Sequence, residues 1–314
     1  MDVLTDLLRG AQARQSTVRQ LIQRPPWALT FADPPDLTLV TILAGHCWIG
    51  FDEPARPPRR LAAGDIALLT GDADHTVRDD PGTPPQVVIR DGRKESLSAE
   101  PVASQPLRPR TYGDGLPGAT VMVRTAYTLH GAVGARLLDL LPPLAIVAAG
   151  PRTRATLELL SAEVVRDEPG QDAVLHRLLD LLLALVLREW CIRPGGKIPD
   201  RTNAFADPAI SGALNLLHGN PAHRWSVAEL AGRAGMSRAA FAARFTELVG
   251  RPPLSYLTDW RMTLAADLLR DSDAPIAIVA RTVGYQDAFA FSTAFKRARG
   301  VSPSAWRRSA IDPD

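Results

Sequence analysis

The sequence predicts an α+β chain of several parts: an N-terminal β-barrel, a helical segment, and an all-α C-terminal domain holding two helix-turn-helix units. Three observations predict this. Short β-type runs separated by turn clusters occupy residues 1–150, two long helical patterns follow, and the last third of the chain repeats itself.

The β-type runs are Trp27–Phe31, Leu37–Phe51, Asp65–Leu69, Val87–Arg90 and Thr120–Tyr127. Pro-, Gly- and Asp-rich clusters separate them, as at Asp33-Pro34-Pro35-Asp36 and Asp79-Asp80-Pro81-Gly82. Strands this short at this spacing predict a sandwich or barrel. Thr153 to Val165 and Asp172 to Trp190 then carry apolar residues at three- and four-residue spacing, the mark of helix. The second is leucine-rich from Val174 to Leu187, a stripe too wide for one face. It packs either on both sides within its own chain or against the same helix of a second subunit. Residues 192–207, with Arg193-Pro194-Gly195-Gly196, read as a linker, and helix is expected from Pro208 on. The expected domains are 1–150 (barrel), 151–191 (helical dimerisation segment), 192–207 (linker) and 208–310.

Composition sets limits on function. The chain has 314 residues, 46% hydrophobic and 22% charged, which is enough for two cored domains and is not a disordered composition. Two cysteines, Cys47 and Cys191, exclude a disulfide framework and a four-cysteine zinc site. The longest apolar run, Leu181 to Leu187, is bracketed by Asp180 and Arg188 and falls far short of the roughly 20 residues of a membrane span. The acidic start of the chain does not resemble a secretory signal, so a cytoplasmic protein without a membrane partner is expected. Charge is uneven: residues 224–308 hold 13 Lys and Arg against 7 Asp and Glu. A basic segment on a neutral body points to a polyanion partner.

The repeat is the most informative feature. Phe241, Phe245, Gly250, Pro253 and Tyr256 recur 50 residues later as Phe291, Phe295, Gly300, Pro303 and Trp306. Val227, Leu230, Ala231, Ala234 and Gly235 recur 49 residues later as Ile276, Val279, Ala280, Val283 and Gly284. One residue has therefore been added just after the glycine of the second copy. A repeat names a structural unit. Ser226-Val227-Ala228-Glu229 is a capping box that starts a helix, Gly235 stops it, and Ser237 caps a second helix from Arg238 to Val249. Helix, glycine turn, helix is helix-turn-helix geometry. The second copy predicts helices over Pro275–Val283 and Asp287–Arg299, and a connecting helix runs from Pro253 to Arg270. Two such units joined by one helix can enter successive major grooves of a duplex.

These residues resemble the DNA-binding domain of the AraC/XylS family. Ala231, Gly235-Met236-Ser237, Phe241, Phe245, Gly250-Arg251-Pro252-Pro253 and Tyr256-Leu257 match its first half. Pro275-Ile276, Val279-Ala280, Val283-Gly284-Tyr285, Phe291, Phe295-Lys296, Gly300-Val301-Ser302-Pro303 and Trp306-Arg307 match its second. Gly45-His46-Cys47-Trp48, Gly64-Asp65-Ile66 and His75 resemble the cupin-type sensor domain of one branch of that family, more loosely. The resemblance implies a cytoplasmic transcriptional regulator, an activator in many relatives. Its expected partners are double-stranded DNA and a second copy of the chain, with a small-molecule effector and RNA polymerase as further candidates. It implies no enzyme activity and no cofactor.

The resemblance also nominates site residues. In the first unit these are Ser237, Arg238, Ala239, Ala242, Ala243, Arg244 and Arg251; in the second, Gln286, Asp287, Ala288, Ser292, Thr293, Lys296 and Arg297. The family often places a long polar side chain where this sequence has Ala243 and Thr293. An alanine face touches thymine methyls but cannot hold guanine by a bidentate contact, so base discrimination is expected mainly from the second unit. For sensing, the candidates are His46, Cys47, Trp48 and His75. Cys47 reads either as a small buried hydrophobe or as a low-pKa thiolate open to oxidants. His75 reads as a turn histidine bonded to a nearby carboxylate. The six histidines include no His-x-His pair, so no metal site is expected. No GxSxG, Walker, CxxC or HExxH motif occurs. The alternative is a cupin-type metal-dependent enzyme with an accessory helical domain.

Overall fold

The computed structural model describes residues 3–10, 15–97 except 52, 54, 55 and 72, 106–192 except 116, and then 204 and 207–311. Most of the stretch expected to be a linker, 193–203 with 205 and 206, lies outside the described residues. Among the described residues no helix is long and apolar enough to cross a membrane. The chain forms two compact units.

One unit comprises residues 13–129 and 141–190. Two six-stranded sheets build it. The first runs β10 (Thr111–Gly113), β1 (Gln15–Gln23), β11 (Thr120–Thr128), β3 (Leu37–Ala44), β6 (Asp65–Thr70), β12 (Leu144–Ala148). The second runs β5 (Arg59–Ala62), β4 (His46–Gly50), β7 (His75–Arg78), β2 (Ala28–Ala32), β8 (Val87–Arg90), β9 (Arg93–Ser96). The expected strand Leu37–Phe51 is thus two strands of different sheets, turned at Gly45, whose φ of 74° favours glycine. Leu21, Phe31, Val40, Ile42, Ile49, Leu61 and Met122 meet between the sheets.

Two helices complete this unit, α3 (Pro151–Val164) and α4 (Gln171–Ile192). Tyr127 of β11 donates its hydroxyl hydrogen to the Leu179 carbonyl, 3.0 Å away, on the sheet face opposite the core. Glu189 accepts from the Gly150 amide at 3.0 Å and the Thr153 hydroxyl at 2.7 Å, holding the N-terminus of α3 where unsatisfied amides favour a carboxylate. The wide leucine stripe is largely internal: Leu175, Leu179, Leu182, Leu183, Leu185, Val186 and Leu187 are all buried in the single chain. Val174 and Leu181 remain outside, 45% and 47% exposed.

The other unit gathers residues 1–12, 130–140 and 191–314. Its helices are α1 (Val3–Gly10), α2 (Gly131–Leu138), α5 (Pro208–Gly219), α6 (Val227–Arg233), α7 (Arg238–Val249), α8 (Pro253–Asp271), α9 (Ile276–Thr282), α10 (Ala288–Arg299) and α11 (Pro303–Ile311). The repeat is carried into three dimensions. Phe241 and Phe245 lie 5.7 Å apart, as do Phe291 and Phe295, and Tyr256 and Trp306 close the two clusters edge-on at 5.9 and 6.0 Å. Gly250 and Gly300 end α7 and α10 with φ of 77° and 79°. The segments 3–10 and 131–138, which precede this domain in the chain, pack among its helices. Asp267 of α8 accepts the Ala132 and Val133 amides at 2.7 and 3.0 Å, so a side chain of one helix caps another. Gly131 is required there: its φ is +85°, and a Cβ would lie 2.5 Å from the Asp267 carboxylate.

Candidate nucleic-acid interface

Each helix-turn-helix unit is positioned by local chemistry. In the first, Ser226 caps α6 by accepting the Glu229 amide at 3.1 Å, and Ser237 caps α7 by accepting the Ala240 amide at 3.3 Å. Glu229 turns its carboxylate to His223 and Arg233. In the second, Asp287 caps α10 by accepting the Phe289 and Ala290 amides at 3.2 and 2.9 Å. Met236 and Tyr285 make the same turn bond, to the carbonyls of Ala231 and Ala280 at 3.0 and 2.8 Å. The inserted residue is Gln286, exposed between Tyr285 and the cap.

The connecting helix α8 holds both units. Trp260, Met262, Ala265 and Leu269 are buried on it. His218 of α5 stacks on Trp260 at 4.1 Å and shares a hydrogen bond of 2.7 Å with the Tyr256 hydroxyl. Burial, then the nearby Arg136 charge, lowers its pKa to about 3, so the ring is neutral. Arg307 donates to the carbonyls of Leu269 and Ala274, and the Trp306 indole to that of Ala266. Arg307 therefore ties α11 to the end of α8.

The outer faces of α7 and α10 show what each unit presents. On α7, Arg238, Ala239, Ala243 and Arg244 are exposed and Ala242 is half-buried. On α10, Phe289, Ala290, Thr293, Lys296 and Arg297 are exposed, with Ala288 and Ser292 half-buried. Phe289 is 80% exposed. It was missed by sequence reasoning, because Ala288-Phe289-Ala290-Phe291 reads as helix core. The 50-residue offset was the available signal: it sets Phe289 against Ala239, already on the outward side.

Several nominated side chains have work inside the fold. Ser237 caps α7 as expected, whereas Asp287, expected to face bases, spends its carboxylate capping α10. Ser292 and Thr293 donate to the carbonyls of Ala288 and Phe289, leaving only acceptor capacity outward. Arg244 is held by Asp207 at 3.1 Å and Glu247 at 3.2 Å, and Arg251 by Asp259 at 3.0 Å, so neither is a free phosphate ligand. Among the described residues Arg238, Lys296 and Arg297 are exposed cations in no ion pair.

The sensing candidates do not converge. Successive residues of β4 face opposite ways, so Cys47 is buried in the barrel core at 0% exposure while His46 and Trp48 point outward. Burial pushes the Cys47 thiol up to about 12, the reverse of a reactive thiolate. The oxidant-sensing reading of Cys47 is corrected accordingly, and it is a small buried hydrophobe. His75 is not a turn residue. It opens β7, buried and stacked on Phe31 at 5.2 Å, and burial followed by the Arg124 charge lowers its pKa to about 3. Among the described residues no three His, Cys, Asp or Glu side chains group as metal ligands.

Known proteins share this arrangement. Residues 2–192 match a family model described as Cupin, and residues 230–309 one described as Helix-turn-helix domain. An AraC-like transcription regulator of Streptomyces antibioticus is 34% identical over 98% of this chain and 99% of that protein. A second, from Streptomyces lividans, is 32% identical over the whole of both chains. The regulator MtrA of Neisseria gonorrhoeae is 26% identical over 98% of each. With a repeated helix-turn-helix unit, exposed cations on its second helices and relatives alike from end to end, this chain belongs to the AraC-like transcriptional regulators: it is a DNA-binding protein, not an enzyme.

Proposed function

We propose that α7 and α10 enter successive major grooves, and that α10 carries most of the base discrimination. The observation behind this is the contrast at matched positions of the repeat, Ala239 and Ala243 against Phe289 and Thr293. Alanines offer methyl groups only. Phe289 packs on thymine methyls, Thr293 accepts from a base edge, and Lys296 and Arg297 hold phosphates, which supply affinity without sequence information. On α7, Arg238 is the exposed long polar side chain in no ion pair among the described residues, since Arg244 and Glu247 pair with each other. Selection from a DNA library randomised across the whole site tests this. Information concentrated in one half of each site supports the reading; equal information in both halves refutes it.

The N-terminal barrel acts as the sensing half and residues 208–310 as the DNA-binding half, joined through 192–207. An effector in the barrel changes operator affinity only if it binds two arrangements of the protein unequally. A second copy of the chain pairs through the seam left outside on α4, Val174 and Leu181, and RNA polymerase is the partner at the promoter.

A further inference from the structure

The barrel contains a cavity of about 260 Å³ between β1, the end of β2 and the β8–β9 hairpin. At roughly 30 Å³ per water it has room for one compact organic molecule. Leu21, Phe31, Ile89 and Ala126 give it apolar walls, yet Arg19, Lys94 and Arg124 project into it. Arg19 of β1 and Arg124 of β11 are direct cross-strand partners. Like charges opposite one another on one face weaken a sheet. Among the described residues neither guanidinium is in an ion pair. Arg19 donates to the Tyr112 hydroxyl at 3.0 Å. Arg124 reaches only Thr38 Oγ1 at 3.4 Å; its carbon lies 4.3 Å from the centre of the Phe31 ring, and its buried Nε has no hydrogen-bond partner. The acids nearby do not neutralise this pair. Asp33 is taken by Arg90, and Asp91 is exposed in the β8–β9 turn. Asp114, also exposed, acts on Lys94.

We propose that this cavity binds a small organic carboxylate with a compact apolar body. The carboxylate bridges Arg19 and Arg124, and the body packs on Phe31, Leu21 and Ile89. Two planar guanidinium forks match a carboxylate in charge and geometry, and the bound anion removes the repulsion between them. The apolar walls disfavour an anion that lacks such a body. The proposal rests on the reading of the barrel as the sensing half and gives that half its ligand class.

Calorimetric titration of the full chain tests it, with phenylacetate and hexanoate as probes and phenylacetamide, hexanamide and inorganic phosphate as controls. At least one carboxylate should bind, its amide at least about tenfold more weakly, and phosphate not at all, as expected for loss of a charge-assisted contact. Arg19→Gln and Arg124→Gln should each weaken the carboxylate about tenfold or more. Without ligand, each variant should melt no lower than the parent, since it relieves a like-charge pair. The proposal is overturned if neither carboxylate binds at millimolar concentration, if amide and acid bind alike, or if both variants retain full affinity. Operator affinity in the same samples separates the two readings. Carboxylate binding that leaves DNA affinity unchanged keeps the site and removes the sensing role. A neutral compound that shifts DNA affinity while the carboxylates fail does the opposite.

Discussion

On the proposed DNA-reading face, Phe289 is the most exposed large apolar side chain among the described residues. It holds no core position and costs solubility where it stands. Phe289→Ala should weaken binding to the selected site by about 1–3 kcal/mol while leaving binding to unrelated duplex unchanged. Competition titrations read both numbers, and an equal loss on both would make the ring a nonspecific contact. Two buried histidines set a pH dependence. His75 and His218 have folded pKa values of about 3 against an ordinary 6.5. In that window the unfolded chain holds the proton and the folded chain does not. Each ring therefore removes about 1.4 kcal/mol of stability per pH unit as pH falls from 6.5 toward 3. Urea unfolding of His218→Asn should show a slope shallower by one such increment. An unchanged slope would mean that the ring protonates within the fold.

Among the elements, α4 and α2 depend most on partners distant in sequence. Leu182 sits at the middle of the α4 leucine stripe and is fully buried in one chain. Leu182→Asp should abolish folding through a buried unpaired charge, whereas Leu181→Asp should fold normally and shift the chain toward monomer. Sedimentation of the Leu181 variant decides the second point; a parent chain already monomeric at high concentration would remove the α4 seam from consideration. Helix α2 depends on a carboxylate from α8. Asp267→Ala leaves the Ala132 and Val133 amides without their acceptor and takes one of two carboxylate partners from Arg270, which keeps Asp271. It should cost about 1–2 kcal/mol, the worth of a lost N-cap, and thermal melting measures it.

For the whole molecule, the question is what the DNA-binding helices need from the rest of the chain. Arg136 of α2 lies over Tyr256 and Trp260, 4.8 and 5.6 Å from the ring centres, and forms an ion pair with Asp259 in a contact of 2.5 Å. A fragment of residues 207–314 loses these contacts but keeps both aromatic clusters of the repeat. It should fold and bind duplex DNA with an affinity that falls steeply with salt, log K dropping by about 0.9 per phosphate neutralised for each unit of log salt. A fragment without a cooperative melt would show that the helices from earlier in the chain belong to the DNA-binding core.

The double helix-turn-helix is legible in the residues alone. Its caps, glycine stops and aromatic spacings are local, and α7 matches its expected span of Arg238–Val249. Several strands are legible as well, β8 to the residue, because alternation and turn chemistry act within a few positions. Which face each strand presents follows from pairing between strands distant in sequence. That placed Cys47 in the core, divided Leu37–Phe51 between two sheets and buried most of the α4 leucines. It also decided the cavity, for a specific reason. Arg19, exposed at the mouth of the cavity, and half-buried Arg124 stand on the sheet face that carries Leu21 and Met122, so they break the alternation that marks a strand, and β1 does not read as one. Charges placed where a core residue belongs are visible only once strands a hundred residues apart are paired.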